Sequence, residues 1–161
     1  MGLKEDLQQQ GFKTLEEEAM LNLARTMVLL EDHSTQVIHQ YGITPTQYNV
    51  LRILRGAGSD GLCRNQIRDR MLDRMPDMTR LLDRMEDAGL VERERSTSDR
   101  RQVPTRLTEK GLDIVNKLDD PVHQSQQEAF GHLSRGQLIT LIETLTQIRE
   151  KLPVKTPLSH P

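Results

Sequence analysis

From residue 15 onward apolar side chains return every three or four positions: Leu15, Ala19, Leu23, Met27 and Leu30. That spacing lines one face of an amphipathic helix. Thr14 and Glu17 stand as a capping box at its start, after a polar arm over residues 1–13. The pattern predicts a helix to about Gln40, roughly 25 residues and long for so short a chain. Gly42 breaks it and a new start follows at once. Thr44 is the predicted cap, Pro45 the first helical residue and Gln47 the box partner, with Ile43 and Tyr48 spaced as a hydrophobic staple. Tyr48, Val50, Leu51 and Leu54 supply a buried face until Gly56-Ala57-Gly58.

A short third helix is predicted from about Cys63 to Met71, and a fourth from Pro76 to about Ala88, closed by Gly89. Two short helices with a tight break have the helix-turn-helix layout. Met78, Leu81, Leu82 and Met85 fall at i, i+3, i+4 and i+7 and face the core, leaving Asp77, Arg80 and Arg84 on or near the opposite face. Two β-prone runs, Leu90–Arg95 and Gln102–Leu107, flank a charged segment at 96–101 and read as a two-stranded wing. Pro104 in the second run is tolerated only on an edge strand. Thr108 caps a fifth helix with Leu112, Val115, Leu118 and Val122 as its stripe, which Pro121 should kink or interrupt. Ser134 and Gln137 open a last helix to about Leu152, with Leu138, Leu141, Ile142, Leu145, Ile148 and Leu152 in a near-heptad stripe. The expected fold is mainly α with a small two-stranded β wing: one domain over 1–161, with a winged helix-turn-helix lobe at 42–107. Helices at 14–40 and 108–152 form a dimerisation region.

Composition narrows the function. The 161 residues are 35% hydrophobic and 29% charged, with no Trp, two Tyr and two Phe. That supports a modest core but not a large buried catalytic cleft. No apolar run approaches the roughly 20 residues of a membrane span. The opening MGLKEDLQQQ lacks a secretory signal, and a single cysteine excludes an internal disulfide. These features point to a soluble cytoplasmic protein without a membrane partner. The histidines, His33, His39, His123, His132 and His160, have no i,i+4 pair and none is near Cys63, so no metal site or cofactor is expected. Neither a phosphate loop nor a nucleophile motif nor an acid/base pair is recognisable, and the chain does not read as an enzyme.

A net charge of −2 argues at first against nucleic acid. Distribution says more than the sum. Residues 62–110 hold 12 Arg/Lys against 10 Asp/Glu, and 11 of those 12 cations are Arg, the side chain suited to phosphates and guanine edges. Arg80 and Arg84 lie one helical turn apart; in a major groove one can grip guanine O6/N7 while the other contacts phosphate. Asp77 can accept from a cytosine or cap the helix, and Thr79 can donate to a base or phosphate. The same face also reads as a solvated surface of Asp77–Arg80 and Asp83–Arg80/Arg84 pairs. Asp99, Arg100 and Arg101 at the wing tip favour DNA, because adjacent exposed arginines contribute little to folding but suit a narrow minor groove. Thr46, Gln47, Arg64, Asn65 and Arg74 are candidates for backbone phosphates.

Several of these segments carry a family resemblance. Leu81 to Arg93, Asp99-Arg100-Arg101, Leu107-Thr108-Glu109-Lys110-Gly111 and Gly42 to Tyr48 resemble, in that order, the recognition helix and wing base, the wing signature, the start of the fifth helix and the start of the second helix of the MarR family of winged-helix bacterial regulators. The resemblance spans roughly residues 15–152. It implies a homodimer on a palindromic operator of double-stranded DNA, usually a repressor, often released by a small, frequently aromatic, effector held between dimer interface and DNA-binding lobe. His33, Val37, Tyr48 and Arg52 are the candidate effector pocket. An activator or dual regulator with the same contacts is an alternative, and so is a winged-helix interaction module without DNA binding. Some members sense oxidants through a first-helix cysteine, which this chain lacks. Arg68 stands where the family pattern puts Ala, and Asp77 where it often has a small hydroxyl residue, so no known operator carries over.

Overall fold

The computed structural model describes residues 2–6, 8, 11–73, 77–93 and 103–152. A single turn, α1 (Leu3–Asp6), precedes α2 (Leu15–His39), α3 (Pro45–Ala57) and a 3-10 turn at Gly58–Asp60. Then come α4 (Arg64–Arg70), α5 (Met78–Asp87), strands β1 (Val91–Arg93) and β2 (Thr105–Leu107), α6 (Glu109–Lys117), α7 (Asp119–Phe130) and α8 (Arg135–Lys151). The chain divides within α7, after Ser125, into two compact units. The mainly helical architecture with a two-stranded antiparallel wing is the one expected, a winged helix-turn-helix.

Helix starts follow their caps closely. At α3 the box is complete: Thr44 Oγ1 accepts from the Gln47 N–H at 3.2 Å, and Gln47 Oε1 accepts from the Thr44 N–H at 2.9 Å. Ile43 and Tyr48, the staple pair, are both buried. Ser134 and Gln137 repeat the box at α8. At α2 only half forms. Thr14 Oγ1 accepts from Glu17, but the Glu17 carboxylate takes the N–H of Lys13, one residue earlier, at 2.6 Å. The predicted start at Pro76 moves to Met78, because Asp77 is the cap: its Oδ1 accepts from the Arg80 N–H at 3.1 Å. Residues 74–76 lie outside the described residues.

The core of the larger unit gathers Val50, Leu51 and Leu54 from α3, Ile67 from α4, Leu81, Leu82 and Met85 from α5, and Val115 and Leu118 from the α6 end. Gly89 closes α5 with a left-handed φ of 69°, and the bonds Gly89 N–H to Glu86 O and Leu90 N–H to Met85 O form a Schellman turn. The next segment fastens that turn down. Lys110 Nζ donates to Ala88 O at 2.8 Å, the Thr108 hydroxyl to Gly89 O at 2.7 Å, and the Thr108 N–H to Leu90 O at 3.2 Å. Gly111 is obligatory here, since a Cβ on it would collide with the Leu90 carbonyl oxygen.

The strands pair Val91 with Leu107, Glu92 with Arg106 and Arg93 with Thr105. Among the described residues β2 begins only after Pro104, which has no N–H for a ladder; residues 94–102 of the predicted wing lie outside the described residues. Leu62 adds an isolated antiparallel bridge to Thr105 through two backbone bonds. Gly61, at φ 71°, permits it: a Cβ there would lie 2.6 Å from the Thr105 carbonyl oxygen. The predicted fifth helix is interrupted at Leu118, and Pro121 falls in the first turn of α7, where its missing N–H costs least. Arg55 secures the junction with a bidentate pair to Asp119, both contacts at 2.8 Å, and a bond to Asn116 at 3.0 Å. In the smaller unit α8 has no buried residue and exposes Ile139, Leu141, Ile142 and Ile148.

Two outcomes follow. Gly111→Ala forces backbone to shift, an overpacking cost of about 1–3 kcal/mol; circular dichroism melts should show Tm lowered by roughly 3–10 °C, and an unchanged Tm contradicts the close approach. Hydrogen bonding from Arg55 holds the Asp119 carboxyl below its ordinary 3.8. The stability it lends is therefore complete above the unfolded value and disappears as pH falls through the lowered folded value. Denaturant titrations should find Asp119→Asn less stable than wild type at neutral pH, by about 1 kcal/mol or less for so exposed a pair. The gap should close in acid.

Candidate nucleic-acid interface

The surface of interest is built on α5, whose inner face is spent on the core. Met78, Leu81, Leu82 and Met85 are buried, so helical geometry turns Thr79, Arg80, Asp83 and Arg84 outward. All four are exposed, Arg80 with 84% of its side chain accessible. Asp77 binds the first turn twice: Oδ1 caps the Arg80 N–H, and Oδ2 pairs with Arg80 Nε at 3.0 Å. Such an exposed pair contributes little and exchanges readily. One turn on, Arg84 Nε donates to the Arg80 carbonyl oxygen at 3.3 Å.

Helix α4 adjoins α5 and buries Ile67 in the core they share. Arg64, its first residue, donates from Nη1 to Thr79 Oγ1 at 2.9 Å. The candidate phosphate ligand and the candidate base reader are thus joined across the turn. Asn65 is exposed beside Arg64. Cys63 precedes the helix as its cap residue, half-buried, its N–H bonded to Gln66 Oε1 at 2.9 Å.

Asp83 does not take either predicted partner. Arg93 of β1 reaches back to α5, donating from Nη2 to Asp83 Oδ1 at 2.7 Å and from Nε to Glu86 Oε2 at 3.0 Å, with a second, shorter contact from Nη2 to Glu86. The Glu86 bond, aided by Asp83, pushes the Arg93 guanidinium above even its usual high range, against the opposing effect of burial. Arg93 as a partner for the recognition helix was not among the sequence expectations. A signal existed: in β1, Val91 and Arg93 share one face, Val91 is buried, and a cation on the inward face of a strand needs acceptors.

The remaining candidates divide. In the first turn of α3 the side chain of Gln47 is taken up by the Thr44 cap, and Thr46 is half-buried next to it. Of the four pocket candidates, Tyr48 is buried, and desolvation raises its phenol pKa while Arg52 pulls the other way. The Arg52 guanidinium stands 5.8 Å from the Tyr48 ring centroid, a cation–π distance. Val37 packs on the core and His33 is half-buried on α2. Arg74, Asp99, Arg100 and Arg101 lie outside the described residues. Among the described residues no group of three or more His, Cys, Asp or Glu is gathered for a metal, and no helix is long and apolar enough to cross a membrane.

Known proteins resemble this chain in sequence and fold. A family model described as the MarR family matches residues 41–102. The HTH-type transcriptional regulator MhqR of Bacillus subtilis is 31% identical over 127 residues, 78% of this chain and 86% of that protein. A MarR transcription factor of Planctomyces limnophilus, solved by crystallography, is 37% identical with a TM-score of 0.65, over 85% of this chain and 99% of that one. S. aureus MepR, crystallised as a DNA complex, is 26% identical with a TM-score of 0.72, over 81% of this chain and 96% of its own.

Removing the α5 cap tests the local account. Asp77→Ala should cost about 1 kcal/mol of stability and Asp77→Asn much less, read from urea unfolding curves; equal losses would mean that the cap does not set the helix start.

Proposed function

The chain belongs to the MarR family of DNA-binding transcription regulators, which are not enzymes, and on that premise we propose that it acts as a homodimeric repressor released from a palindromic operator by a small-molecule effector. In this reading residues 42–107 are the DNA-binding lobe and the helices within 14–40 and 108–152 the dimerisation region. One observation carries the DNA contacts: α5 buries its apolar stripe completely and turns Thr79, Arg80 and Arg84 outward, while its acidic flank is occupied by Arg93.

Thr79, Arg80 and Arg84 read base edges or adjacent phosphates in the major groove, with Asp77 setting the helix start. Arg64, Asn65, Thr46, Gln47 and Arg74 hold the flanking backbone, and Asp99, Arg100 and Arg101 serve a wing tip in the minor groove. Exposed apolar side chains support the dimer. Met20, Met27, Val28 and Leu29 on α2, and Ile139, Ile142 and Ile148 on α8, are accessible in the single chain, more than a soluble surface normally leaves in contiguous stretches. A second copy covers them and doubles the recognition helices for a twofold site. The effector is small and aromatic and engages the region of His33, Val37, Tyr48 and Arg52, where a cation already faces a ring.

Selection of bound duplexes from a random pool at fixed salt tests the reading. The wild type should enrich a palindrome. Arg84→Ala should bind it more weakly by about 1–3 kcal/mol and with relaxed preference if Arg84 reads a base, or lower the salt slope by about 1 if it contacts phosphate. Enrichment of no palindrome by the wild type overturns the proposal.

A further inference from the structure

Resting on the DNA-binding reading, we propose that Arg93 is a positioning residue that sets the charge of the recognition helix: by holding Asp83 and Glu86 it keeps two carboxylates from opposing DNA phosphates and from capturing Arg80 and Arg84.

The geometry requires a choice that the helix alone would make differently. Asp83 stands three residues after Arg80 and immediately before Arg84, and side chains three apart on a helix are neighbours. Left to the helix, Asp83 is a natural partner for Arg80, and Glu86 adds a second negative charge one turn further on. Instead both carboxylates turn to one guanidinium on the adjacent strand, at 2.7 Å for Asp83 and 3.0 Å for Glu86. Arg93 is only 25% exposed, whereas Asp83 is 50% exposed, so the cation is the sheltered member and the acid sits at the rim of the outward face. A planar fork that serves two carboxylates at once uses the geometry peculiar to arginine. Arg93 ↔ Thr105 pairing in the sheet fixes the strand position from which it reaches. The consequence is a sorting of charges: Asp83 and Glu86 face the wing base, and the arginines of α5 keep only exchangeable contacts at Asp77 and at a backbone carbonyl.

This role differs from simple anchoring of the wing, and charge removal separates the two. Affinity for the selected duplex would be measured at several salt concentrations for the wild type, Arg93→Met, Asp83→Asn/Glu86→Gln, and the triple variant. Arg93→Met should bind on the order of tenfold more weakly, the scale of one charge-assisted contact. The triple variant should recover most of that loss, because the acids that Arg93 restrains are gone. Asp83→Asn/Glu86→Gln alone should bind at least as tightly as wild type. If the triple variant remains as weak as Arg93→Met, or the double amide variant itself binds poorly, Arg93 is an anchor and the proposal fails. Should Arg93→Met not fold, the double amide variant decides, since it keeps hydrogen-bonding groups at both positions. A wild type that prefers no duplex removes the regulator reading and this proposal with it; a selective wild type matched by Arg93→Met removes the proposal alone.

Discussion

The placement of the outward face of α5 depends on the contact between the end of α5 and the start of α6. Three consecutive carbonyls, those of Ala88, Gly89 and Leu90, are met by two residues, Lys110 and Thr108. Leu90 then approaches α6 so closely that only glycine fits at position 111. Helix C-termini carry unsatisfied carbonyls that need partners, and here the partners come from the segment that follows the wing. Helix α5 is thereby closed by its own Schellman turn and held by α6, which begins at Glu109 on the far side of the wing. Thr108 serves both sides of this junction, donating its hydroxyl to Gly89 O and accepting from the Gly111 N–H at 3.1 Å.

The abundance of arginine between residues 62 and 110 overstates the number available to a nucleic acid. Arg93 is committed to Asp83 and Glu86, and Arg106 donates from Nε to the Ser59 carbonyl oxygen at 2.8 Å. Outside that stretch, Arg55 is spent on the break between α6 and α7. What remains outward on α5 is Arg80 and Arg84, with Arg64 tied to Thr79 on the adjoining helix. Composition therefore pointed in the right direction through residues that partly serve the fold. In a chain of net charge −2, long-range attraction to DNA is weak, so the proposed recognition rests on where a few guanidinium groups are held.

Local signals were legible because their causes are local. Thr44, Pro45 and Gln47 state a helix start within four residues; Gly89 states an end; and the Met78, Leu81, Leu82, Met85 spacing states which face is buried. Each of these is found as read. The α5 boundary moved because Asp77 becomes a cap and excludes itself from the helix. The start of α2 stayed in place, although Glu17 takes the Lys13 amide rather than that of Thr14. Contacts between elements were not legible. The strand pattern signals that an inward-facing Arg93 needs acceptors. The order of residues does not say that Asp83 will choose it over Arg80, or that Lys110 will reach the Ala88 carbonyl, because those choices follow from the angle between elements. The site was read as residue types on a helix face, a wing tip and neighbouring helix starts, and the partners that orient the α5 side chains became visible only once strand and helix were adjacent.

These contacts divide by burial into two classes with different consequences for binding. In the Arg93 network the guanidinium is the sheltered member and serves two carboxylates, so removing its acceptors leaves a partly buried cation short of partners. The Asp77–Arg80 pair is solvent-exposed, and its ions lose little by exchanging one another for phosphate or a base edge. A surface built this way fixes its backbone and its acids and leaves its cations mobile enough to adapt. The ordering cost of binding then falls on a few side chains rather than on the helix. In the proposed reading, sequence preference is set by Thr79, Arg80 and Arg84, presented by a helix whose cap and core contacts are formed in the single chain.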